Sequence, residues 1–329
     1  MRWPTVAPIL FKEFAIRMRG SRGALLISLY VGLTTIAARL LYGVVAEQLD
    51  HGSPLVSAQI GQVIFIGLSL GLQALTVFLA PATALNAISS EYERGTIELL
   101  LSTPVSVFQF VIGKLVAACA FLLVLIVAAL PVFAMVTLFG GVTLADMLRV
   151  GAMLLITALT GCVFGLFCSA LTRQTYSATL LCYALLVCLV GGTLFAANVW
   201  SLANSMGTAP PTFVVANPLS AMAATLISVQ PPAISLTGGL RPLVLLNLLT
   251  RGVTDLGSRV APVPLHRTTA VIYGALAISL FWATVHLAAP HRRWRLTRLD
   301  AILLVLLLGY FALVYWSRSW WLLGLRFNA

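Results

Sequence analysis

Three of the nine acidic residues, Glu91, Glu93 and Glu98, fall within eight positions of one another, with Arg94 among them. They stand in the run Ser89-Ser90-Glu91-Tyr92-Glu93-Arg94-Gly95-Thr96-Ile97-Glu98-Leu99-Leu100-Leu101-Ser102-Thr103-Pro104-Val105-Ser106. Read as a helix, the run puts Glu91, Arg94 and Glu98 on one face, where neighbours three and four apart support each other as ion pairs. Tyr92, Thr96, Leu99 and Leu100 then turn towards the membrane, and Thr103-Pro104 ends the helix and opens the next element. An interfacial anchor on an anionic leaflet favours Lys and Arg. Three Glu with one Arg point instead to a protein partner, so the expected chemistry is docking. Glu91 and Glu98 are expected to be solvated, and their loss to leave the fold intact.

Catalytic spacing is missing elsewhere. The two lysines, Lys12 and Lys114, lack the glycine spacing and the following Ser or Thr of a phosphate-cradling loop, so the chain does not hydrolyse ATP unaided. The four histidines form no H-E-x-x-H pair, and no serine sits in G-x-S-x-G. Cys119, Cys162, Cys168, Cys182 and Cys188 form no C-x-x-C pair and read as small core residues, so no metal or cofactor is expected. A proton or ion relay would need acids inside the spans. Between residues 24 and 289 only Arg39, Lys114, Arg149 and His286 are candidates within spans, all near span ends, and snorkelling is the expected explanation.

The elements that position the acidic run are membrane helices. With 60% hydrophobic and 9% charged residues and a mean hydropathy of +1.02, the chain lacks the charge to cover a soluble surface. An all-α, polytopic transmembrane bundle is expected, with spans at 24–46, 60–87, 110–139, 147–171, 177–200 and 268–289 and a seventh near 301–323. Pro81 and Pro131 are the expected kink sites. Gly67-x-x-x-Gly71 and Gly161-x-x-x-Gly165 permit close helix approach.

The net charge of +11 does not imply nucleic acid, because its basic residues crowd beside the apolar spans. With the N-terminus in the cytoplasm, segments 1–23, 88–109, 172–176 and 290–299 are inside and hold eleven Lys or Arg. The two short outside loops, 47–59 and 140–146, hold none. Contact with membrane lipids accounts for the basic flanks.

Residues 1–23 are expected to form a cytoplasmic segment whose part 5–19 is amphipathic and lies along the interface. Residues 24–289 form the six-span domain, and 290–299 a basic cytoplasmic loop that holds Arg292, Arg293, Arg295 and Arg298. Residues 300–329 form the C-terminal apolar segment with the seventh span, ending outside. The extracytoplasmic segment 201–267 carries eight of the fifteen prolines. Its apolar pieces near 216–229 and 240–250 are expected to be short helices on, or dipping into, the outer leaflet.

Over about residues 85–116 the sequence resembles the permeases of ABC transporters of the type 2, export-associated class. The resemblance rests on Glu91 and Glu93, Gly95-Thr96, Glu98-Leu99-Leu100-Leu101, Ser102-Thr103-Pro104 and Gly113-Lys114. The Asn217-Pro218 stretch and the order of spans are similar to that class as well. It implies a six-helix membrane subunit that pairs with a second copy or a sister permease. Two cytoplasmic ATP-binding cassette ATPases would bind the ATP and dock on 89–104, with Glu91, Tyr92, Glu93, Arg94, Gly95, Thr96, Glu98, Leu99, Leu100, Thr103 and Pro104 at the interface. Alternating access would move a substrate outwards across the cytoplasmic membrane. The long 201–267 segment and the apolar stretch after residue 299 depart from the pattern. Two other readings are a membrane enzyme acting on a lipid-linked substrate and a non-transporting partner subunit. Against the enzyme, the 201–267 segment has one acid, Asp255.

Overall fold

The computed structural model describes residues 21–46, 54–96, 106–203, 213–229, 249, 265–289 and 298–321. The elements are α1 (Ser21–Ala46), α2 (Pro54–Glu93), α3 (Val107–Thr137), α4 (Leu144–Thr172), α5 (Thr175–Val187), α6 (Thr193–Ala203), α7 (Pro218–Leu226), α8 (Leu265–Leu287), α9 (Arg298–Trp316) and α10 (Arg318–Trp321). A π-helical turn, Cys188–Gly192, joins α5 to α6, so Thr175–Ala203 is one continuous rod. Among the described residues no strand occurs, and six helices are long and apolar enough to cross a bilayer. The chain is an all-α polytopic bundle, as a sequence of uninterrupted apolar runs requires when every backbone group must be paired internally.

Helix boundaries follow local chemistry. Ser106 and Thr143 each accept from the third helical N–H while that residue's side chain, Gln109 or Asp146, reaches back, giving capping boxes at α3 and α4. Pro81 and Pro131 lie within α2 and α3, and both helices continue through them.

α2 and α4 form the centre of the bundle. Their apolar stretches are 67% and 56% buried, against 11% for α1 and α8, whose outer faces meet lipid once the chain is in a bilayer. Close approach of α2 and α4 depends on Gly161 and Gly165. A Cβ at Gly165 would stand 2.6 Å from the Pro81 carbonyl oxygen, and one at Gly161 would stand 2.7 Å from the Ala80 Cβ. The small-residue pair therefore packs two helices of the same chain. Phe65 meets Phe133 edge-on at 5.5 Å, sealing α2 against α3.

Two expectations need correction. The run after the second span is not a continuous helix from 89: α2 stops at Glu93 and the chain turns left-handed at Gly95, while Glu98 lies outside the described residues. The apolar piece 216–229 contains a short helix, as expected, and that helix is packed against protein. Its α7 buries Pro218, Ala221, Met222 and Leu226 among α2, α4 and α8. Lys114 is enclosed and ion-paired to Glu91 rather than snorkelling, whereas half-exposed Arg149 pairs with Asp146 one turn away.

α9 is shorter than the seventh span expected over 301–323 and is not among the six spanning helices. It returns antiparallel along α8: the Tyr310 hydroxyl donates to the Val271 carbonyl, and Arg267 donates to the Trp320 carbonyl. The expected amphipathic helix at 5–19, the basic run 290–297 and nearly all of 240–250 lie outside the described residues.

Candidate functional site

The end of α2 is the point where the chain concentrates charge and cross-element bonds. Gly95 ends the helix. Its φ of +66° is a left-handed conformation that glycine adopts without Cβ strain. The Gly95 N–H donates to the Tyr92 carbonyl at 3.1 Å and the Thr96 N–H to the Glu91 carbonyl at 3.1 Å. This is a Schellman closure of the last turn.

Each residue of that last turn grips a different element. Glu91 pairs with Lys114 of α3 at 3.2 Å, their side chains 22% and 5% exposed, and accepts from the Thr96 hydroxyl. A buried ammonium without its carboxylate would be costly, so this pair fixes the angle between α2 and α3. The Tyr92 hydroxyl donates to the Ala288 carbonyl at 3.0 Å, at the end of α8. Glu93 accepts from the Thr175 N–H at 2.7 Å and from the Thr175 hydroxyl at 2.9 Å. Gln174, the cap residue of α5, makes no side-chain capping bond, so a carboxylate from α2 does that work at the positive end of α5.

The α4–α5 turn completes the junction. Arg173, itself left-handed at φ 58°, donates to the Leu287 and Ala289 carbonyls and lies 4.5 Å over the Tyr92 ring. Its charge sits where the carbonyl end of α8 is negative. Ser169 accepts from the Ser89 N–H at 2.8 Å. Glu93, Arg94 and Gly95 are exposed, as is Tyr176 on the neighbouring helix.

Of the expected site residues, Glu91 through Thr96 meet here. Glu98, Leu99, Leu100, Thr103 and Pro104 lie outside the described residues. Two expectations about side chains are overturned: Glu91 is mostly enclosed rather than solvated, and Tyr92 packs on Arg173 and α8 rather than turning to lipid. Sequence reading missed Lys114, Arg173 and Thr175 as members of this junction. The short Thr172-Arg173-Gln174-Thr175 turn between two apolar runs was the available signal.

A second polar cluster lies midway along the bundle. The Gln73 amide donates to the Thr157 hydroxyl at 2.8 Å and to the Pro218 carbonyl at 3.1 Å, joining α2, α4 and α7. The Tyr273 and Thr269 hydroxyls of α8 donate to the Ala216 and Val215 carbonyls. At its far end α7 is tied to α4, where Asp146 and Arg149 pair at 3.0 Å and both bond Ser228.

Six membrane-length helices around a polar junction at the end of α2 define a multi-pass membrane protein. The family model described as ABC-2 family transporter protein matches residues 7–319, and the chain belongs to that family of ABC transporter permeases. No curated protein matches it.

Proposed function

We propose that the chain is the membrane-spanning subunit of an ATP-driven exporter and that its ATPase is a separate polypeptide docking on the cytoplasmic segment 89–104. The observation that carries this reading is the last turn of α2. Exposed Glu93, Arg94 and Gly95 stand on a base that is hydrogen-bonded to α3, α5 and α8 at once. A push on the turn therefore reaches three other helices without passing through a loop. The subunit sits in the cytoplasmic membrane with its N-terminus inside, pairs with a second copy or a sister permease, and leaves ATP binding to the ATPase. Closure of the ATPase dimer drives alternating access, and α9 is the seventh crossing.

The test is co-purification of the ATPase and its stimulation by the permease. Arg94→Glu and Glu98→Arg place wrong charges on the docking segment, and interface charges of this kind are worth about 2–5 kcal/mol of binding. Both should leave insertion intact and cost most of the bound ATPase. Full coupling in both variants would put the docking surface elsewhere.

A further inference from the structure

The rod Thr175–Ala203 is interrupted at Cys188–Gly192, where its ladder widens to a π turn. Such a turn accommodates one residue more than the α ladder and persists where something outside the helix holds it. Asn217 does so here. Its Nδ2 donates to the Val190 carbonyl at 2.9 Å and to the Thr193 hydroxyl oxygen at 2.9 Å, one within the turn and one just past it. Its Oδ1 accepts from the Leu219 N–H at 2.9 Å and the Ser220 N–H at 3.4 Å, capping α7. One fully buried carboxamide thus closes the start of α7 and the π turn together. At the other end of the same rod, Glu93 holds the first N–H of α5.

We infer that the rod Thr175–Ala203 is a hinged relay, held at one end by Glu93, bending at the π turn, and latched to α7 by Asn217. The inference rests on the reading that 89–104 receives the ATPase, since that reading supplies the push. Passage of a π turn along a helix re-registers the residues it crosses, turning each by about 100° and shifting it by about 1.5 Å relative to its neighbours. The two ladders are discrete arrangements, which is what a relay between distant sites requires. Room for repacking is present: an apolar cavity of about 190 Å³ lies against the hinge, lined by Leu185, Leu186 and Leu189 of the rod and by Pro218. Release of the latch would free α7 from the rod while Gln73 still holds it to α2.

Hydrogen–deuterium exchange of the purified permease alone tests the relay. Asn217→Ser keeps a competent helix cap but is too short to reach Val190. It should speed exchange of amides 188–194 by about tenfold and leave 219–226 unchanged. Thr193→Val removes half of the latch in a nearly isosteric way and decides the point if the serine variant does not fold. Glu93→Ala should speed exchange at 175–178 and, through the relay, at 188–194 by at least about fivefold, a typical coupling between distant sites. If the folded latch variants leave 188–194 unchanged, there is no latch. If Glu93→Ala acts only at 175–178, the rod relays nothing. Neither readout needs an ATPase, so a wild-type permease that captures none would overturn the docking reading while leaving the relay decided on its own data.

Discussion

Glu91 and Glu93 stand two positions apart in one turn, yet their tasks differ. Glu91 neutralises an ammonium that is 5% exposed, whereas Glu93 reaches across to cap a helix. Replacing Glu91 by Ala should destabilise the protein by about 3 kcal/mol, because Lys114 is left charged and enclosed. The double variant Glu91→Leu, Lys114→Met should recover most of that loss, since an apolar pair of similar volume removes the stranded charge. Thermal unfolding in detergent, read by tryptophan fluorescence, separates the two outcomes. Gly95→Ala should cost about 1–2 kcal/mol for its left-handed backbone, although open space surrounds the position. The sequence grouped Glu91, Glu93 and Arg94 correctly as one locus. It hid their partners, because Lys114 lies 23 residues from Glu91 and Thr175 lies 82 from Glu93. Local periodicity places side chains on one helix face, but carries no information about which helix comes to meet that face.

Among the elements, long apolar runs announce themselves, and the six spanning helices fall within a few residues of the expected ones, apart from α2. That helix runs on at both ends, and at its C-terminal end Ser89, Tyr92 and Glu93 are satisfied by neighbouring elements rather than by water. The break at Gly95 was legible as a glycine past the last helical turn, but ion-pair spacing through Glu98 argued the other way. Asn217-Pro218 reads as a helix start, with a capping side chain followed by proline at the first position. Its burial was not legible, because a short apolar helix has the same composition against lipid or protein. Gly165→Leu should disrupt packing between α2 and α4 by at least about 2 kcal/mol, as overpacking against rigid backbone does. Gly151→Leu, with nothing within 4 Å of its Cβ direction, should be tolerated. Size-exclusion profiles of the two variants check the contrast. For α9, a C-terminal reporter that fluoresces only in the cytoplasm should stay dark; a bright one would make α9 a surface helix.

For the whole molecule, the proposed orientation predicts thiol accessibility. A cysteine at Asp50 should react with an impermeant reagent added to intact cells, and one at Arg94 should not. Labelling at Arg94 would invert the bundle. The length of α2 gives this geometry a mechanical meaning. At 1.5 Å per residue its 40 residues span about 60 Å, roughly twice the hydrocarbon thickness. Gly161 and Gly165 clasp it near Pro81, about 18 Å from Glu93 and about 40 Å from Pro54. Rocking on that clasp as one body, α2 would be an unequal seesaw. Each ångström of travel at the short arm becomes about two at the long one, with the force halved in proportion.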